Sequence, residues 1–130
     1  ASAQYLRKHG TPKTLAELDQ HRIIAYTGIP AQHLDAMSWI ETAGREGASP
    51  REAALRVNSV VAIKYAIQAG IGIGMIPDYM SDEQSELVPV LAEFEQPSLN
   101  LIFAYAEELK ASKKVQLLRD FLVSKISRFR

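Results

Sequence analysis

The stretch from Asn58 to Tyr79 constrains the fold more than any other part of this 130-residue chain. Ser59 has the chemistry of a helix N-cap, because its hydroxyl can accept a hydrogen bond from an orphan backbone N–H of the first turn. Val60, Ile63 and Ile67, with Ala66, recur at helical spacing and form one apolar stripe. Gly70 supplies the stop, since glycine takes positive φ without steric cost. Ile71-Gly72-Ile73-Gly74-Met75-Ile76 then has the apolar run of a buried strand, and Pro77 ends it. The alternation in Ala54-Leu55-Arg56-Val57-Asn58 marks another strand just before the helix. Strand, helix, strand is the unit that predicts parallel pairing with a right-handed crossover.

The flanking segments extend the pattern. Lys13 to Gln20 predicts a short helix, with Thr14 as N-cap and Glu17 three residues on, a capping-box spacing. Arg22-Ile23-Ile24-Ala25-Tyr26 has the look of a short buried strand, and Thr27-Gly28-Ile29-Pro30 supplies turn chemistry. Trp39 and Ile40 are expected on the next strand, with Gly44 through Pro50 as a hairpin-like polar connection. Leu87-Val88-Pro89-Val90-Leu91 is a short strand at best, pushed toward an edge by Pro89. Leu99-Asn100-Leu101-Ile102-Phe103-Ala104-Tyr105 is expected as a second strong strand. Ser112 then caps a final helix whose buried face is Val115, Leu118, Phe121, Leu122, Ile126 and Phe129. Alternating strands and helices define a single α/β domain.

Composition removes several classes of function. Hydrophobic residues make up 47% and charged residues 23%, a soluble globular balance. The 15 bases and 15 acids cancel, so bulk electrostatics favour neither nucleic acid nor an anionic membrane. Their order is uneven: Tyr65 to Leu109 holds eight acids and no base, and Lys110 to Arg130 seven bases and one acid. Without a recognition motif, the basic segment is expected to be a solvated helix face rather than a DNA-binding one. The lack of cysteine removes disulfides, thiolate metal sites and cysteine catalysis, and fits a reducing compartment. No apolar run approaches the roughly 18 residues of a membrane span, and Ala1 to Leu6 lacks the pattern of a signal peptide.

Most candidate chemistry fails on order or spacing. Gly70, Gly72 and Gly74 close a helix and run into a strand, whereas a phosphate-cradling turn follows a strand and opens a helix. His9, His21 and His33 are twelve residues apart, not the four of a helical metal pair, so no metal site is expected. No Gly-x-Ser-x-Gly elbow supplies a nucleophile, and Asp78, Asp82 and Glu83 beside Pro77 fit a solvated loop. No enzyme and no cofactor is expected. Binding has better support. Asn58 and Ser59 lie where a strand ends and a helix begins, a place that favours a carboxylate or phosphate. Thr27 and Gly28, just after another strand, are expected to line the same cleft. Ordinary capping and turn roles remain the alternative for all four.

These residues resemble the effector-binding domain of LysR-type transcriptional regulators. The matching marks are Ala1-Ser2-Ala3-Gln4-Tyr5-Leu6, Gly10-Thr11-Pro12, Leu15 to Leu18, His21-Arg22, Trp39 and Leu55-Arg56-Val57-Asn58-Ser59. They continue through Ala69-Gly70-Ile71-Gly72-Ile73-Gly74-Met75-Ile76-Pro77-Asp78-Tyr79, Leu87 to Leu91, and the strand and helix from Leu99 to Ile126. Ala3 stands where the family usually has proline. The resemblance implies one lobe of a type II periplasmic-binding-protein-like domain, a mixed sheet with flanking helices. Residues 1–130 would be a partial effector-binding domain, mainly lobe two, with the strand and helix near 99–130 returning to lobe one. The winged helix-turn-helix and the first part of lobe one would lie upstream of Ala1.

The implied function is small-molecule effector sensing by a cytoplasmic regulator that performs no chemistry. A lobe of a transport-type solute-binding protein is the alternative. The implied effector is a carboxylate or other anion, and the implied partners are further copies of the same chain. Promoter DNA would be met only through the missing domain, and no membrane is involved. Asn58, Ser59, Thr27 and Gly28 are the implied lobe-two side of the cleft, while Ser2 and Tyr105 lie near the two expected crossovers. A chain lacking lobe one is expected to self-associate through exposed apolar surface, or to dock its C-terminal helix in a non-parental way, and to bind effector weakly.

Overall fold

Among the described residues, three parallel strands form the sheet, and the first of them in the sequence is central. The computed structural model describes residues 1–27, 36, 38–81, 86–98 and 102–126. β1 (Ile23–Tyr26) lies between β2 (Ala53–Val57) and β3 (Ile73–Gly74). Tyr26 pairs with Val57 on one side, and Ile23 and Ile24 pair with Ile73 and Gly74 on the other. The expected strand–helix–strand unit is present, as β2, α3 (Val60–Gln68) and β3. Its two strands run the same way but do not touch, because α3 carries the chain across β1.

Local chemistry explains the limits of each element. Ser59 has extended backbone angles and its Oγ accepts the Ala62 N–H, as an N-cap does. Gly70 ends α3 at a φ of +71°. The apolar run from Ile71 to Ile76 yields only a two-residue strand. Gly72 is needed there for close approach, since a Cβ would collide with the Arg22 carbonyl, the group that accepts the Ile73 N–H at 2.9 Å. Upstream, Thr14 Oγ1 accepts the Glu17 N–H and the Glu17 carboxylate accepts the Lys13 N–H. This reciprocal cap opens the expected short helix, which is a 3-10 helix over Ala16–Gln20.

The alternation of β1 sorts the core into two layers. Ile24 packs with Ile63, Ala66 and Ile67 of α3 on one face. Ile23 and Ile73 pack with Tyr5 of α1 (Ala3–His9), Leu18, Ile40 and Leu91 on the other. Helices therefore cover both faces, as a parallel sheet requires. Burying each of these isoleucines stabilises the fold by about 2–3 kcal/mol.

Trp39 and Ile40 do not form a strand. They open α2 (Trp39–Thr42), in which the Ala43 N–H bonds the Trp39 carbonyl at 2.8 Å. Ile40 and Ala43, three apart, are both buried on its inner side. Arg51 then ties the end of this helix to the rest of the layer. Its Nη1 donates to the Ile40 and Ala43 carbonyls at 3.1 and 2.7 Å, its Nη2 to the Leu15 carbonyl at 2.8 Å, and its Nε to Asp19 at 2.7 Å. A cation here satisfies carbonyls that a helix end leaves orphaned. The segment from Gly44 to Pro50 accordingly leads from α2 into a parallel strand and is not a hairpin.

The chain divides into two units, Ala1–Leu99 and Asn100–Arg130. The second contains α4 (Lys113–Ile126), with no buried residue. Its expected inner face is not covered: Leu118, Phe121 and Ile126 are exposed, and Val115 and Leu122 are half-buried. An apolar stripe is buried only by a second layer, and the described residues of this unit supply none. Phe129 lies outside the described residues, as do Leu99, Asn100 and Leu101; Ile102 to Tyr105 are not strand. Leu87 contributes an isolated antiparallel bridge with Ser2, the antiparallel element beside the parallel sheet. Among the described residues, no helix is long and apolar enough to cross a membrane.

Candidate functional site

Parallel pairing puts the carboxyl ends of β1 and β2 side by side, and three of the sequence-identified residues follow from that. The Thr27 N–H donates to the Val57 carbonyl at 2.8 Å. This bond extends the ladder one residue past Tyr26 and sets Thr27 beside the turn that carries Asn58 and Ser59. All three residues are exposed. Ser59 Oγ accepts the Ala62 N–H at 3.4 Å, and its carbonyl accepts the Ile63 N–H at 3.0 Å. The amides of Val60 and Val61 have no intrahelical acceptor by helix geometry. No acidic residue occupies the first turn of α3 to offset the positive end of its dipole.

Chemically, this edge offers neutral donors: two helix-terminal amides, the hydroxyls of Thr27 and Ser59, and the Asn58 amide. The neighbouring cation, Arg56, already donates through Nη2 to Glu41 at 2.5 Å. Glu41 is buried. An anion held at such an edge is recognised by hydrogen bonds and dipole rather than by a free formal charge.

The other sequence-identified residues lie elsewhere. Ser2 is buried and caps α1, accepting the Tyr5 N–H at 3.3 Å. It stands beside Gly70, where a Cβ would come within 3.6 Å of its Oγ. That is the opposite end of α3 from Ser59, so Ser2 is not part of the strand-end group. Tyr105 belongs to the second unit, where its ring lies 5.5 Å from that of Phe103. Gly28 lies outside the described residues.

Two features were not apparent from sequence. One is a cavity of about 160 Å³ beyond β3, walled by Trp39, Met75, Val90 and Leu91 and reached by the polar side chains of Asp78 and Gln96. Its walls come from segments far apart in the chain, so no local pattern announces it. The other is a ring cluster of Tyr5, His9 and His21. The spacing of four between Tyr5 and His9 was its one legible sign. Among the described residues, no three His, Asp or Glu side chains gather where they could hold a metal ion.

A parallel sheet covered by helices on both faces, with strand ends meeting a helix N-terminus, is the arrangement of a ligand-binding α/β fold. Residues 1–127 match the LysR substrate binding domain, and the chain belongs to that family, which makes the fold periplasmic-binding-protein-like. It is similar to the uncharacterized HTH-type transcriptional regulator YhjC of Escherichia coli K12, with 27% identity across 94% of this chain and 42% of that protein. It is equally similar, at 27% identity, to the HTH-type transcriptional regulator CrgA of Neisseria meningitidis serogroup C, across 97% of this chain and 42% of the relative. The chain thus spans less than half the length of the curated relatives it matches. No solved structure matches it.

Proposed function

We propose that this domain senses a small anionic effector on behalf of a LysR-type transcriptional regulator. The observation that carries the reading is the Thr27 N–H to Val57 carbonyl bond, which sets Thr27 against Asn58 and Ser59 at an acid-free helix N-terminus. The anionic group of the effector docks on the Val60 and Val61 amides, and Ser59, Asn58 and Thr27 fix its orientation. Gly28 is assigned to the same effector-binding group by its place in the sequence after Thr27. Ser2 and Tyr105 belong to the two segments that cross toward a second lobe, and residues 1–98 make up most of lobe two. Promoter binding and assembly into a homo-oligomer in the cytoplasm are assigned to the whole regulator, with DNA met through a helix-turn-helix region outside this chain. Both named relatives are regulators, which favours this role over solute transport and over catalysis. Effector binding need only favour one of two arrangements, with a coupling of about 1–3 kcal/mol.

The test is a nuclear magnetic resonance titration with a panel of small mono- and dicarboxylates. At least one is expected to shift the Val60 and Val61 amides in a saturable way, and Ser59→Ala to weaken that response. The same substitution is expected to cost about 1 kcal/mol of stability as a lost cap. If every carboxylate leaves both amides unmoved in the full-length regulator, the anion reading is wrong. If Ser59→Ala lowers stability and leaves the titration intact, Ser59 is a cap and nothing more.

A further inference from the structure

One buried tyrosine lies between two histidines where α1 meets the entry to β1. Tyr5 is 2% exposed. Its hydroxyl accepts the Arg22 backbone N–H at 3.0 Å. His21 Nδ1 lies 3.3 Å from the same hydroxyl. The His9 ring, one helical turn along, stacks on the phenol with centroids 4.5 Å apart and planes 24° from parallel. Because the phenol oxygen already serves Arg22, its own proton is directed at His21. The imidazole accepts that proton only when neutral and carrying its hydrogen on Nε2. Protonating His21 turns Nδ1 into a second donor facing the oxygen, and the buried phenol proton loses its acceptor.

We propose that Tyr5, His9 and His21 form a proton-sensitive clasp that holds α1 against the sheet while the His21 imidazole is neutral and loosens it when that ring gains a proton. Each element packed around His21 has its part. From α1 come Tyr5 and the His9 ring, from the 3-10 helix comes the Glu17 carboxylate, and from the entry to β1 comes the Arg22 amide. Burial first, and His9 second, hold His21 below its ordinary value of 6.5, with Glu17 opposing them. A lowered value in the folded state means that the unfolded chain binds more protons, so stability is lost as pH falls through 6.5 toward the folded value. The clasp acts on the start of α1, where Ser2 bridges Leu87 and the Ala1 carbonyl accepts the Val88 N–H at 2.7 Å. It does not depend on the effector reading.

The experiment follows the imidazole resonances of His21 and the amide resonance of Arg22 between about pH 7.5 and about pH 5. His21 is expected to titrate below 6.5, and the Arg22 amide to shift with the same midpoint. His21→Asn keeps an acceptor near the Nδ1 position but cannot titrate. It is expected to abolish the Arg22 transition and to remove most of the acid-induced drop in melting temperature, roughly 2–4 °C. Tyr5→Phe, the second variant, removes the hydroxyl and is expected to move the His21 midpoint upward. An Arg22 amide that ignores the His21 titration in the unmodified protein, or a His21 midpoint at or above its ordinary value, would overturn the proposal whether or not the variants fold.

Discussion

In the unit Ala1–Leu99, Ile24 has no exposed surface and Ile63 and Ile67 show 1% each; in Asn100–Arg130, Phe121 shows 55% and Leu117 70%. Both regions hold apolar residues at helical spacing, so pattern is not what separates them. The difference is whether a second layer exists. α3 has β1 beneath it, and its isoleucines contact Ile24. α4 has length and helix-forming residues, enough to specify a helix, but the described residues of its unit offer no second layer to bury a face. Amphipathicity in a sequence records that a face meets something, and says nothing of what.

Substitutions sharpen that contrast. Ile24→Ala is expected to have the largest effect, about 4 kcal/mol in urea unfolding, because a fully buried side chain leaves a cavity between β1 and α3. Arg51→Ala should follow at about 3 kcal/mol, since the Leu15, Ile40 and Ala43 carbonyls would lose their donor in the interior. A loss below that of an ordinary surface residue would show that water replaces the guanidinium. Asp19 gives a pH test of the same tie. The Arg45 guanidinium, and Arg51 after it, hold its carboxyl below the ordinary 3.8. The lowered value makes this contribution present above 3.8 and lost as pH falls through the folded value. Asp19→Asn should flatten the acid limb of the stability profile. Phe121→Ala is expected to be the smallest, under about 0.5 kcal/mol in this chain. Measured in a longer chain that includes the rest of the family's effector domain, a loss several times larger would show that the α4 face meets its second layer there.

The parts of the fold that follow from short-range rules were legible. Ser59 as a cap, Gly70 as a stop, Val60 to Gln68 as a helix and Ile23 to Tyr26 as a strand each depend on a few adjacent residues. What required distant partners was not. Trp39 and Ile40 look like strand residues until Ile40 and Ala43 are seen on one buried side of a helical turn, fixed by Arg51 from across a loop. An arginine after Pro50 in a polar stretch carries no sign that it will be enclosed by three carbonyls. The same rule divides the candidate site. Thr27, Asn58 and Ser59 come together because β1 pairs in parallel with β2 and aligns their ends, a pairing between distant segments that no local pattern announced. Ser2 and Tyr105 were placed by resemblance alone, and the structure puts Ser2 at the far end of α3.

The position of β1 has a consequence for how the chain reaches its folded state. Both neighbours of β1 are synthesised after it, so Ile23 and Ile24 must wait, unpaired, for Ala53 to Val57 and then for Ile73 and Gly74. The contiguous piece from β2 through β3 cannot close by itself, because the space between its two strands belongs to a segment already made. Non-local pairing of this kind slows folding, since loop closure must come before the contacts that reward it. A chain cut between Gly44 and Pro50 would yield two halves that each lack a sheet, and mixing them should restore one.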